Sequence, residues 1–175
     1  KVALVDLDLT AGDVTVMLNI SAKGTIAEMV QEQDNLDFQL VDVFLVHHLS
    51  GTRVLPAPAS PEQAELIQPR HVEQLLKILK DNFDYIIIDT SPVYSDINLS
   101  VLEASDKLVL VLNQELTTLK HVKSAMDIFK ALNYESKTKI ILNQQNGEGI
   151  KVKELEKTLN TSCAGIIPED QKTVK

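Results

Sequence analysis

The chain has 175 residues, 44% apolar and 24% charged, with 17 Lys+Arg against 25 Asp+Glu for a net charge of −8. That composition excludes a disordered chain, and the negative charge disfavours DNA, whose phosphates call for clustered Lys and Arg. No apolar run reaches the roughly 18–20 residues of a membrane span, no charged-then-apolar leader pattern opens the sequence, and the lone Cys163 suits a reducing, cytoplasmic compartment.

Short apolar runs predict strands at Val2–Val5, Thr52–Leu55, Tyr85–Ile88, Leu108–Leu112, Ile140–Leu142 and Ala164–Ile167. Most of these runs are continuously apolar rather than alternating, as in a parallel sheet with both faces covered. Helical periods fall between them. Two short helices are predicted at Thr25–Gln31 and Leu40–His47. Val72, Leu75, Leu76 and Leu79 form one apolar stripe, Leu119, Val122, Met126 and Phe129 a second, and Val152, Leu155 and Leu159 a third. The alternation predicts an α/β fold with a mostly parallel sheet and helices on both faces. No composition shift or polar linker divides it, so residues 1–175 read as a single domain, and Pro56–Pro61 reads as a stiff strand-to-helix connection. Ligands of such sheets bind beyond the carboxyl ends of the strands.

Two apolar runs end in aspartate at that place, Val2-Ala3-Leu4-Val5-Asp6-Leu7-Asp8 and Tyr85-Ile86-Ile87-Ile88-Asp89-Thr90. Four apolar residues followed by Asp form the Walker B pattern, in which a buried strand delivers a carboxylate to the rim to hold a water in the shell of Mg²⁺. Asp also starts turns and caps helices, so either motif alone is weak. Their pairing, with Pro92 and Asp96 following, favours a nucleotide phosphate site. Asp6 and Asp8, two apart, project on the same side of their strand. One is suited to position Mg²⁺ or a loop lysine, the other to orient an attacking water. Asp13 either caps the following turn or joins this chemistry.

Other candidates carry less. His47-His48 lacks a Cys or His partner at ligand spacing and reads as a surface pair. His71 and His121 stand at helix starts, where solvent exposure is expected. Cys163 reads as a small buried residue rather than a nucleophile.

The chain resembles the ATPase domain of the MinD/ParA superfamily of P-loop proteins, and within it the CpaE/TadZ pilus-assembly branch. The matching blocks are the Asp6–Asp8 strand with Gly12-Asp13-Val14, Val54-Leu55-Pro56-Ala57-Pro58, Phe83–Asp89, Ile140-Ile141-Leu142-Asn143 and Gly165-Ile166-Ile167-Pro168-Glu169-Asp170. The resemblance implies an ATP-dependent homodimer with Mg²⁺, placed by pilus-assembly or other polar, membrane-associated partners. It makes Asp8 the residue that orients the hydrolytic water and Asp89 the Walker B carboxylate that reaches Mg²⁺ through water. Asp6 and Pro92 become nucleotide-site residues, Pro92 within a γ-phosphate-sensing segment at Thr90–Asp96. Asn143, whose amide offers donor and acceptor together, becomes the adenine reader, with Pro168 and Glu169 lining the base pocket.

No Gly-x-x-x-x-Gly-Lys-Ser/Thr loop occurs in the 175 residues, and no Lys-Ser/Thr pair follows a glycine. Phosphates in this superfamily are surrounded by such a loop. The expectation is therefore a domain truncated before its first strand and phosphate loop, and also at its C-terminus, with no ATP turnover by itself. Two alternatives stay open: the cytoplasmic domain of a bacterial tyrosine kinase, which shares the Ile87-Ile88-Asp89-Thr90-Ser91-Pro92 type of segment, and a non-hydrolysing scaffold of the same fold.

Overall fold

Apolar runs flanked by helical stripes build two compact units in the computed structural model, Lys1–Ala104 and the stretch from Ser105 onward; residues 1–170 are described.

The first unit contains β1 (Val2–Leu7), α1 (Val14–Met17), α2 (Ile26–Glu32), α3 (Phe38–Phe44), β2 (Val46–His47) and β3 (Arg53–Leu55). It continues with α4 (Pro61–Ala64), α5 (Pro69–Asn82), β4 (Tyr85–Thr90) and α6 (Asp96–Ala104). The sheet order is β2-β3-β1-β4. β1 runs parallel to β3 and β4, and β2 alone is antiparallel. Ala3, Val5 and Leu7 bury one face of β1 against α2, α3 and the stripe Val72, Leu75, Leu76 and Leu79 of α5. Each Val or Leu among them removed from water contributes roughly 1.5–3 kcal/mol. Pro69 opens α5 where its missing N–H costs nothing. The alternate positions on β4 point the other way: Tyr85 is 72% and Ile87 55% exposed.

The second unit contains β5 (Leu108–Leu112), α7 (Leu116–Ala131), a 3-10 turn at Glu135–Lys137, β6 (Thr138–Gln145), α8 (Val152–Leu159) and β7 (Gly165–Pro168). Its three strands are parallel in the order β5-β6-β7. Leu112, Ile140 and Leu142 pack against Leu119 and Val122 of α7 and Leu155 and Leu159 of α8. Val109 and Val111, on the alternate positions of β5, are exposed.

The α/β class and mostly parallel pairing follow the sequence expectation. Three local details differ. The predicted helix at Leu40–His47 starts earlier, at Phe38, because Asp37 caps it by accepting the Leu40 N–H at 2.8 Å. It ends at Phe44, and Val46–His47 turns into a strand that pairs with Arg53 and Val54. β6 extends to Gln145, so Asn143 lies inside the strand and not at its end. His71, expected in solvent, is only 4% exposed. It sits four residues before Leu75, on the buried side of α5; its Nδ1 accepts the Gln68 N–H at 3.2 Å and its Nε2 meets Asp34 at 3.2 Å.

Candidate functional site

In the first unit, parallel pairing places Asp6 opposite Asp89 at the carboxyl ends of β1 and β4. The two carboxylates have different environments. Asp6 is 1% exposed, and both its oxygens are engaged by backbone: Oδ1 accepts the Asp8 N–H at 3.1 Å and Oδ2 the Val14 N–H at 3.2 Å. Asp13 stands at the N-cap of α1 without a side-chain bond to the helix, and Asp6, from seven positions upstream, holds the first helical amide instead. Gly12 makes this possible. A Cβ there would lie 2.3 Å from Ala57 Cβ and 2.6 Å from Asp6 Oδ2.

Asp8 shapes the rim beyond the strand. Its Oδ1 accepts the Thr10 N–H at 3.3 Å, the Thr10 hydroxyl at 3.0 Å and the Ala11 N–H at 3.1 Å, an Asx turn that fixes the side chain. All three bonds fall on one oxygen. Asp89 is exposed at the end of β4. Burial of part of its carboxyl raises its pKa above the ordinary 3.8, and the charges of Asp8 and then Asp13 push it further, against a Thr90 N–H bond that lowers it. Asp6 is raised too, mainly by burial, with Asp89 and Asp8 adding repulsion and its two N–H bonds opposing. Asp6, Asp8 and Asp89 are thus brought to one rim, with negative charge that a cation would relieve.

Among the described residues, no group of three or more His, Cys, Asp or Glu side chains converges on a point where it could hold a metal ion. Mg²⁺ is commonly held by one or two carboxylates and its own waters alongside substrate phosphates. An exposed Asp89 whose charge is unfavourably crowded fits that mode of holding.

Pro92 follows in the loop after β4. A residue that sequence reasoning missed holds this loop: Asn98, 5% exposed on α6. Its Nδ2 lies 3.1 Å from both the carbonyl and the hydroxyl of Ser91 and 2.6 Å from the Val93 carbonyl. One asparagine in a helix carries no spacing signal, although its place on the Val101 side of α6 is legible.

In the second unit, the strand ends border an open pocket of about 270 Å³ whose walls include Asn113, Gln114, Gln144, Asn146, Glu148 and Glu169. Glu169 continues from β7, its N–H donating to the Gln145 carbonyl at 3.0 Å. Pro168 pairs with Gln145 across an irregularity in the β6–β7 register. There Gln144 adopts φ 53°, the left-handed conformation that L-residues rarely take. Asn143 precedes it within the strand; of the three residues expected at a base pocket, Glu169 lines this one, whereas Asn143 and Pro168 do not. Side-chain amides and carboxylates dominate these walls, a donor and acceptor set suited to the edge of a heterocyclic base and poorly suited to anionic phosphates. Cys163, which precedes β7 and is not among the pocket residues, has its thiol pKa raised by burial and by the Glu156 charge, which disfavours the thiolate.

A parallel α/β sheet that presents crowded carboxylates beyond its strand ends, with a polar amide pocket in the same chain, has the features of a P-loop-type nucleotide hydrolase. The comparisons with known proteins agree. The chain belongs to the AAA domain family (AAA_31), which matches residues 1–142, and its homologues place it in the MinD/ParA superfamily of P-loop ATPases. An uncharacterized ATP-binding protein of Methanocaldococcus jannaschii is 24% identical over 97% of this chain and 63% of its own length. The crystal structure of a ParA family ATPase from Chlorobium tepidum is similar at a TM-score of 0.86 and 28% identity, covering 97% of this chain and 71% of that one. The septum site-determining protein MinD of Pyrococcus horikoshii, solved with Mg-ADP, matches at a TM-score of 0.80 and 20% identity, over 97% of this chain and 69% of that one. The chain spans about two thirds of the length of the curated relatives it matches, from 63% to 66% for the first three. Among the described residues, no helix is long and apolar enough to cross a membrane.

Proposed function

We propose that this chain serves an ATP-binding and ATP-hydrolysing switch of the MinD/ParA type, dimerising on ATP, in the manner of the CpaE/TadZ localisation factors of pilus assembly. The observation that carries the ATPase reading is the register-matched carboxylate rim, where Asp8 is fixed by its own turn while Asp89 remains exposed. The pilus and polar-localisation parts rest on the sequence resemblance alone.

In this reading Mg²⁺, when bound, neutralises charge developing on the transferring phosphate. Asp89 would hold a water of its shell. Asp8, with one oxygen committed to Thr10 and Ala11, uses the other to orient the attacking water and accept its proton. Asp6 keeps the Asp8 turn and the start of α1 in place. Pro92 belongs to the loop that senses the γ-phosphate, and the amide pocket, walled in part by Glu169, receives the adenine, with Asn143 and Pro168 on the strands that lead to it.

The test is made on the full-length protein. Asp8→Asn is expected to lower kcat by about 100-fold while leaving the Kd for ATP within about threefold. Equal losses in binding and turnover would contradict the role of Asp8. The isolated 175-residue chain, whose sequence holds no phosphate-cradling Gly-rich loop, is expected to show no steady-state hydrolysis, and turnover that disappears on Asp89→Ala would contradict this.

A further inference from the structure

The pocket of the second unit has one wall that does not follow a strand. Residues 146–150 leave β6 and return to α8 without regular structure, yet contribute Asn146, Glu148 and Gly149 to the pocket. Gln114, just past β5, binds this loop at three points. Its Nε2 donates to the Ile150 carbonyl at 2.8 Å, its Oε1 accepts the Asn146 N–H at 3.3 Å, and its backbone carbonyl accepts the Ile150 N–H at 3.1 Å. Gly149 completes the fit. A Cβ there would meet the Gln114 carbonyl at 2.4 Å, and its φ of 71° is left-handed, so both space and conformation favour glycine.

From this geometry we infer that Gln114 is a positioning residue, whose side-chain amide holds the 146–150 loop as the wall of a base-binding pocket and so sets affinity for the nucleobase rather than the rate of phosphate chemistry. The inference deepens the proposed ATP reading and rests on it for the identity of the ligand. The side chain is suited to the task because it donates and accepts at once. Leucine, of similar size, does neither, and glutamate retains the acceptor for Asn146 but cannot donate to Ile150 when ionised.

Two measurements on the full-length protein separate the clamp from the ligand. Amide hydrogen exchange at Asn146 reports the clamp, and is expected to accelerate by at least about tenfold in Gln114→Leu with less change in Gln114→Glu, while amides of β6 at Ile140 and Leu142 stay protected. Equilibrium binding reports the ligand. Gln114→Leu is expected to weaken ATP binding by about tenfold and Gln114→Glu by about threefold, with tripolyphosphate binding and kcat at saturating ATP unchanged within about twofold. Unchanged exchange at Asn146 in Gln114→Leu overturns the clamp. Faster exchange with unaltered ATP affinity, or an equal loss for tripolyphosphate, overturns the positioning role. A wild-type protein that binds no adenine nucleotide, but whose Asn146 exchange responds as described, overturns the reading of the pocket and leaves the clamp standing.

Discussion

Each unit holds the loop after one of its strands, β4 in the first and β6 in the second, with one side-chain amide, and the two do so differently. In Lys1–Ala104, Asn98 is nearly sealed from solvent, and its Nδ2 donates towards three oxygens of Ser91 and Val93. In the second unit, Gln114 is half-buried and acts as donor and acceptor, to Ile150 and Asn146. A buried donor facing only oxygens cannot be exchanged for an acceptor without leaving those oxygens desolvated and unpaired, whereas a half-exposed amide can pass part of its duty to water. The same contrast marks the carboxylates of the first rim: Asp6 is enclosed and spent on backbone amides, while Asp89 is open to a ligand. Enclosed polar groups here shape loops, and Asp89 keeps its carboxylate towards solvent.

The largest expected effect tests the enclosed side of this contrast. Asn98→Asp places a carboxylate against two carbonyls and a hydroxyl, and is expected to cost about 3 kcal/mol in urea unfolding. A cost no greater than that of Gln114→Glu would erase the distinction between the two clamps. Next, Gly12→Ala forces a Cβ into Ala57 and Asp6 and is expected to cost about 2 kcal/mol in the same assay. At Gly51, where a Cβ would meet nothing within 4 Å but φ is 86°, alanine meets only backbone strain, about 1 kcal/mol. The smallest effect is the pH dependence of Asp89. Its folded pKa lies above the ordinary 3.8, so the folded state binds the proton more tightly and its charge opposes folding at neutral pH. That penalty fades as pH falls through the raised pKa towards 3.8. Asp89→Asn should therefore stabilise the protein at pH 7 and lose its advantage by pH 3, as followed by thermal melting at a series of pH values; an advantage that grows on acidification would refute the assigned cause.

What could be read beforehand follows from how local each signal is. Continuous apolar runs fix the strands, and the stripe from Val72 to Leu79 fixes α5, because burial dictates residue type at each position. Asp8 and Asp89 were legible for the same reason, as polar residues that end apolar runs. The segment Phe38–His48 is apolar at both helical and strand spacing, and only the Asp37 cap and the pairing with β3 decide where helix gives way to strand. Asn143-Gln144-Gln145 reads as loop by composition, but pairing with β7 carries the strand through it. Asn98 and Gln114 were not legible, since a single amide acquires its role from partners that only the fold supplies. The division after Ala104 leaves no trace in composition.

The absence of a side chain at Gly12 also has a mechanical meaning. Gly12 presses on Ala57, and fourteen residues later the Ile26 N–H donates to the Pro56 carbonyl at 3.1 Å. The stretch between them is therefore fastened at both ends to one stiff dipeptide beyond β3. Pro56–Ala57 thus borders both the backbone that follows the Asp8 turn and the first amide of α2, so the end of β3 bears on the carboxylate rim and on α2 alike.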